Sequence, residues 1–224
     1  MTEDSKLRHS EADNAVIVTD DLERAKKEAS NGLIQAERVR QLVMDVIEGR
    51  RFRLRMSTIF DLNRCAIEGL DAYAGNTRPG AVKINKSKHQ PPEHHLVAGL
   101  VEELCDYVND HWETRTSVHL ASMIMWRLNW IHPFTDGNGR TSRAVSYLVL
   151  CAHSGFLLRG KETIPEQIVQ DRIPYYEALE AADERYRVDG VLNEQTVEKM
   201  EELMRGLLAK QLRSAFDTAS GVQQ

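Results

Sequence analysis

The chain has 224 residues, 42% of them apolar and 28% charged, with a formal net charge of −5; this is enough chain to bury a core without staples, and its acidic balance is a poor match for non-specific nucleic-acid binding, which relies on clustered Lys and Arg. Cys65, Cys105 and Cys151 are odd in number and far apart, so a reduced, intracellular chain is expected rather than a disulfide scaffold. The start, Met-Thr-Glu-Asp-Ser-Lys, lacks a signal-peptide pattern, and no apolar run reaches membrane-spanning length.

Residues 1–19 read as a flexible segment, 20–216 as one domain and 217–224 as a flexible tail. From Asp20 the pattern is helical: Asp20 or Asp21 supplies a cap, and Leu22, Ala25, Ala29 and Leu33 fall roughly on one stripe. Gly32 interrupts that stripe, and a second helix with Val39, Leu42, Val43, Val46 and Ile47 inward ends at Gly49. Ser57 is placed to cap a third, with Ile59, Leu62, Ala66, Ile67 and Leu70 inward. The period then changes. Val82 and Ile84 alternate with Lys83 and Asn85, the Asn85-Lys86-Ser87-Lys88 run is turn-like, and Pro91-Pro92 close the segment, which predicts a short β-hairpin. Pro92-Glu93 opens a helix carrying Leu96, Leu100 and Leu104. Further helices are predicted over about 116–131, 138–154, 165–169, 172–187 and 193–216. Proline disfavours helical geometry at the residue before it, so the chain should leave its helix at His132-Pro133. The architecture expected is all-α with one short hairpin.

In the segment His132-Pro-Phe-Thr-Asp-Gly-Asn-Gly-Arg-Thr-Ser-Arg143, the run Asp136-Gly137-Asn138-Gly139 cannot be core. Two glycines flanking an Asn suit backbone N–H groups that point to one side, and at a helix start such a turn is an anion site reinforced by the helix dipole. Arg140 and Arg143 lie three apart, so both can rise from one helix face towards the same anion. Asp136 is a hard oxygen ligand at the same turn, and Mg²⁺ typically binds one or two carboxylates together with substrate phosphates. His132 can take a proton near neutral pH, as a base for a hydroxyl nucleophile must. Taken singly, each residue suits a solvated turn before a surface helix. Together they supply a base, a metal ligand, a phosphate nest and two charge clamps within twelve residues.

This string resembles the signature of the Fic family, His-Pro-Phe-x-Asp/Glu-Gly-Asn-Gly-Arg-x-x-Arg, and matches it at every defined position. Gly75-Asn-Thr-Arg-Pro-Gly-Ala-Val-Lys-Ile84 is similar to the segment leading into that family's flap, and Ile173-Pro-Tyr-Tyr-Glu-Ala-Leu179 to its helix beyond the active site. The resemblance implies a helical Fic fold, Mg²⁺-ATP as donor, and transfer of AMP to a Ser, Thr or Tyr hydroxyl of a target protein, and of the chain itself, with release of pyrophosphate. Carried over, His132 would deprotonate the hydroxyl and Asp136 would hold Mg²⁺. Gly137, Asn138 and Gly139 would cradle phosphates, and Arg140 and Arg143 would clamp their outer end. Tyr175 or Tyr176 would line an adenine pocket, with core packing as the plainer role for either. Phe134 would anchor the loop inward. Val82, Lys83 and Ile84 would form the flap edge on which a target strand docks. Phosphotransferring relatives carry Lys where this chain has Gly139, so the resemblance points to AMP transfer; UMP or phosphocholine transfer, and removal of AMP, are the enzymatic alternatives. A nucleotide-binding regulatory protein is the non-enzymatic one. A cytoplasmic, bacterial setting and a homodimer through exposed helix faces fit the same reading.

Many members of that family carry an inhibitory helix whose Glu pairs with the second motif arginine, here Arg143. Two segments compete for that role: Asn31-Gly-Leu-Ile-Gln35-Ala36, which lies in the expected place with Gln35 for Glu, and the stretch before Gly69, where Glu68 has the Glu-Gly pair but sits close to the flap. The upstream segment is preferred, which implies a weak brake. His89, His94 and His95 bracket the diproline and read as surface histidines.

Overall fold

In the computed structural model, which describes residues 10–11, 16–160 and 162–220, the chain begins with a two-residue strand, β1 (Ser10–Glu11), and a long helix, α1 (Asp21–Ile47). Asp20 caps α1 by accepting the Glu23 N–H at 2.8 Å. Helix α2 (Met56–Ile67) and strand β2 (Lys83–Ile84) follow, and a 3₁₀ turn at His94–Leu96 leads into α3 (Val97–Asp110). Then come α4 (Ser117–Ile131), α5 (Asn138–Ser154), α6 (Ile164–Gln170), α7 (Ile173–Asp189), a 3₁₀ turn at Glu194–Val197 and α8 (Glu198–Ala219).

The core forms around α4 and α5. Helix α4 is buried on nearly every side, from His119 through Leu128 and at Ile131, and α5 buries every residue over 144–152. A helix that is apolar all round has to lie at the centre. The two helices pack on each other; α1 and α2 cover α5, and α3, α7 and α8 cover α4. Each fully buried aliphatic side chain contributes roughly 1.5–3 kcal/mol, so the connection between α4 and α5 is mounted on the least deformable part of the molecule.

Three expectations change. Gly32 does not divide the first helix, and α1 runs unbroken for 27 residues. A glycine inside a helix costs about 1 kcal/mol, less than the tertiary contacts along α1 return. The inward face of α1 is the four-spaced row Asn31, Gln35, Val39 and Val43, while Leu22 and Leu33 of the expected stripe are 64% and 75% exposed. The first half of the buried row is polar because α2 ends beneath it. Asn31 Nδ2 donates to the carbonyls of Ala66 at 3.3 Å and Glu68 at 2.9 Å, where the helix no longer supplies partners to its own carbonyls, and Gln35 Nε2 donates to that of Leu62, about one turn earlier, at 2.8 Å.

The hairpin is the second change. No return strand pairs with β2 among the described residues; β2 is joined instead by β1, antiparallel, with Ser10 opposite Ile84 and Glu11 opposite Lys83. After Ile84 the chain turns at Lys86, at φ 61°, and the returning limb meets Pro91 and Pro92, which have no N–H to donate to a ladder.

The third change concerns the ends. Within 1–19, β1 is a strand, Val16 bridges Asp71, and the Ile17 N–H donates to Leu70 O at 3.0 Å. Within 217–224, the helix α8 extends to Ala219. The rest of both segments lies outside the described residues. No helix among the described residues is long and apolar enough to cross a membrane.

Candidate active site

His132 is the C-cap of α4, in the left-handed region at φ 51°, with its N–H donating to Leu128 O at 3.0 Å. This turn releases the chain before Pro133 and leaves the imidazole buried, the residue 6% exposed. The ring Nδ1 lies 3.3 Å from Asn129 O. Only a protonated nitrogen donates to a carbonyl, so Nε2 is the basic nitrogen. Burial pushes the His132 pKa down to about 4, against the opposing pull of the Asn129 contact. The ring is therefore neutral at pH 7.

The loop that follows is braced from inside. Phe134 is 1% exposed and meets Phe60 edge-on at 5.7 Å, the inward anchor its position suggested. Thr135 donates to Asp71 Oδ1 at 2.8 Å. The Asn138 side chain closes the loop on itself, accepting the Phe134 N–H at 3.0 Å and donating to Phe134 O at 2.8 Å. What Asn138 offers an anion is thus its backbone at the start of α5, not its amide. Gly137 caps that start at φ 76°. Buried Asn63 ties the arrangement to α2: it donates to Asp136 O at 3.1 Å and to Thr141 Oγ1 at 3.2 Å, and accepts the Gly75 N–H at 3.0 Å.

Asp136 accepts the Gly137 N–H at 2.6 Å, and its Oδ2 receives Arg140 at 3.0 Å and Arg24 at 2.9 Å. Burial opposes ionisation here, but Arg140, the Gly137 N–H and Arg24 together outweigh it and hold the carboxyl below the usual range. Glu28, one turn beyond Arg24, reaches Arg140 at 3.4 Å. Arg143 is half-buried, and burial lowers its pKa; among the described residues no carboxylate is in ion-pair range of it. A desolvated guanidinium with no carboxylate partner is well placed to take an anion.

His132, Asp136, Gly137, Asn138, Gly139, Arg140 and Arg143 all line one cavity of about 410 Å³, within the range of small-molecule sites. Tyr175 and Tyr176 line it too. Tyr175 is 3% exposed, and its hydroxyl accepts Asn129 Nδ2 at 2.8 Å. Ile84 of β2 lines the cavity, Val82 is buried and Lys83 is exposed. His89 departs from the surface reading: its side chain is 12% exposed, Nε2 lies 2.7 Å from Trp130 O, and it borders the cavity.

Neither expected inhibitory residue reaches Arg143. Gln35 is held in the α1–α2 seam by its bond to Leu62, and Glu68 is exposed at the end of α2; neither lines the cavity. The face of α1 that presents Gln35 packs on α2, and the residues of α1 that line the cavity lie two to three turns earlier, at Arg24 and Glu28.

Sequence reasoning passed over Arg24, Glu28 and Arg172, all lining the cavity, and two positioning residues, Asn63 and Arg78. Arg78 is 3% exposed. Its guanidinium donates to His132 O at 2.8 Å, Gly80 O at 2.7 Å and Pro92 O, and its N–H donates to Pro133 O at 2.8 Å. It therefore fixes both ends of the flap segment to the first residues of the loop. Its place inside Gly75-Asn-Thr-Arg-Pro-Gly80, a polar turn with no surface helix to use a charge, was the available signal. Removing it would strip three carbonyls of a charged donor, so Arg78→Ala should lower stability by about 3 kcal/mol or more, read as a lower urea midpoint. Arg78→Lys should recover only part of the loss, because one ammonium cannot reproduce the fork.

The fold and site define an all-α protein in which a buried imidazole and the glycine-flanked start of α5 share one cavity. Residues 53–150 match the Fic/DOC family. The chain is similar to protein adenylyltransferase fic-1 of Caenorhabditis briggsae, 28% identical over 147 residues, covering 65% of this chain and 27% of that protein. It is similar as well to protein adenylyltransferase Fic of Drosophila melanogaster, 30% identical over 137 residues, covering 60% and 26%. The chain thus spans about a quarter of the length of the curated relatives it matches. Among solved structures, a Fic-domain signalling protein from Bacteroides thetaiotaomicron superposes with a TM-score of 0.71 at 21% identity, covering 88% of this chain and 73% of that one. Fic-1 of Caenorhabditis elegans superposes with a TM-score of 0.63 at 21% identity, over 88% and 53%. The family match, the curated relatives and the superposed structures all point to a Fic/DOC domain in this chain.

Proposed function

We propose that this chain transfers AMP from Mg²⁺-ATP to a protein hydroxyl and releases pyrophosphate. The observation that carries the reading is the pairing, in one cavity, of a neutral buried imidazole with the N-terminus of α5 and its arginines. His132 Nε2 takes the proton of the attacking hydroxyl. The backbone at 137–139, Arg140 and Arg143 hold the polyphosphate, so charge that shifts onto the leaving phosphates meets fixed donors. Gly139 has no side chain to occupy the space below the guanidinium of Arg143, where an added Cβ would sit 3.1 Å from Nη1. Tyr175, Tyr176 and Leu179 line the same cavity and suit an adenine ring.

Asp136 fits a Mg²⁺ that is shared with substrate phosphates: it is a single hard carboxylate beside the anion nest, about a third exposed. Bound there, the ion would neutralise phosphate charge and orient the donor. Arg24 and Arg140 now cover the same oxygen, so ligand binding has to exchange one of them. Arg24 and Asp136 are both partly exposed, which limits such a pair to about 0.5–1 kcal/mol. Arg24→Ala should therefore lower the Mg²⁺ concentration for half-maximal transfer by about two- to five-fold, with the rate at saturating Mg²⁺ little changed. A higher Mg²⁺ requirement would count against this role for Arg24.

The reaction class is tested by supplying ATP labelled either at the α- or at the γ-phosphate, with Mg²⁺ and a cell lysate. AMP transfer puts α-label on protein and leaves γ-label in pyrophosphate. Label from the γ-position on protein would indicate phosphoryl transfer, and binding without protein label would leave a nucleotide-binding protein.

A further inference from the structure

Between α1 and α2 the chain runs Arg50-Arg51-Phe52-Arg53-Leu54-Arg55, at the end of α1 opposite the cavity. Charge and burial alternate along it with the period of a strand: Arg51, Arg53 and Arg55 are exposed, Phe52 is half-buried and Leu54 is 1% exposed. Phe52 stacks on Trp112, with ring centroids 4.4 Å apart. Asn109 of α3 holds Leu54 by both backbone groups: its Oδ1 accepts the Leu54 N–H at 2.8 Å, and its Nδ2 donates to Leu54 O at 2.9 Å. The segment is thus extended and fixed from below, so little further ordering is needed when a partner arrives.

Its outer side is unoccupied. Arg50 pairs with Asp45 at 2.7 Å, but Arg51, Arg53 and Arg55 form no ion pair among the described residues. The Arg53 N–H and C=O make no hydrogen bond among the described residues either. In an extended chain the backbone groups of neighbouring residues point to opposite sides. With those of Leu54 turned to Asn109, those of Arg53 form an open edge. We propose that residues 51–55 are a docking edge for an extended acidic segment of a partner protein, with Asp or Glu at every second position. Residues two apart in a strand are about 6.4–6.8 Å apart, so alternate carboxylates fall opposite Arg51, Arg53 and Arg55, where opposite charges are favourable. The partner's main chain pairs with Arg53. A nucleic acid has the charge but no peptide backbone for that edge, and a chain of net charge −5 repels a long polyanion beyond the patch. The proposal does not depend on the AMP-transfer reading, because Arg24 and Glu28, the residues of α1 that line the cavity, lie at the other end of that helix.

The test is fluorescence anisotropy of the full chain with a labelled peptide of alternating Glu and Thr. Compared with it are a peptide of the same composition with its glutamates in one block, an N-methylated alternating peptide, and oligothymidylate. Expected is saturable binding of the alternating peptide, about threefold or more tighter than of the block peptide, and weakened by added salt. Arg51→Gln, Arg53→Gln and Arg55→Gln combined should weaken it by about tenfold, with an unchanged urea midpoint. A folded triple variant that binds as wild type overturns the proposal, and so does an absence of saturable binding to the wild-type chain. Equal binding of the block peptide, the N-methylated peptide or oligothymidylate overturns it too, since each reduces the edge to a general polyanion patch.

Discussion

His132→Asn should reduce protein labelling from α-labelled ATP by about 10²–10⁴-fold, the contribution of a positioned proton acceptor. Asn is the better replacement than Ala for this position. His132 is left-handed at φ 51°, and Asn tolerates that region more readily than most residues, so a loss of rate can be separated from a loss of fold. Nucleotide binding should survive, because the anion nest begins at Gly137. A variant that binds ATP and still transfers within tenfold of wild type would remove His132 from the chemistry. The pH profile is a second check. An ordinary histidine would cut the rate as pH falls through 6 to 7. Burial holds His132 near a pKa of about 4, so the rate should show no histidine inflection in that range and should decline only towards pH 4. The sign for stability follows from the same depression. Between an ordinary histidine pKa and about 4 the unfolded chain binds a proton that the folded chain refuses, so this group's contribution to stability is complete above the unfolded value and shrinks as pH falls through that window.

Gly137→Ala should damage both fold and activity. The residue lies at φ 76°, and an added Cβ would come within 2.7 Å of Ile67 Cγ2 and 3.1 Å of Asn63 Nδ2. Neither neighbour can yield cheaply. Ile67 is fully buried, and Asn63 holds the Asp136 carbonyl and the Gly75 N–H. Backbone strain and overpacking together suggest a loss of about 2–4 kcal/mol. Whatever shift relieves the clash also moves Asp136 relative to His132, and a displacement near 1 Å can reduce rate by about 10²-fold. Chemical denaturation and initial labelling rates would measure the two effects. Gly139→Ala is the contrast. Its Cβ would press on Arg143 Nη1 at 3.1 Å, the mobile end of a long side chain. Stability should therefore change by less than for Gly137→Ala, while the label rate falls because Arg143 is displaced from the phosphates.

The residues over 132–143 were legible in the sequence because their chemistry is local. A proline after the histidine ends α4, two glycines free the turn, and the next helix starts at once, so base, carboxylate and nest fall on one loop whatever surrounds them. The all-α class was legible from the same kind of signal, as was α5, whose bounds match the expected 138–154. Which residues of α1 face the site was not legible. Gln35 and Glu68 were candidates by spacing, but spacing along α1 does not say which turn faces α5, and the seam with α2 turned Gln35 inward.

By itself, then, the sequence determined the helices and the order of groups in the loop, because helix periodicity and turn chemistry act between residues a few positions apart. Only the tertiary structure decided what lies on those groups. Burial of the loop end sets His132 neutral, α1 brings Arg24 to Asp136 across 112 residues of chain, Arg78 binds the flap segment to the loop, and the N-terminal strand closes the edge of β2. Each of these depends on where elements distant in sequence come to rest, and no local pattern encodes that.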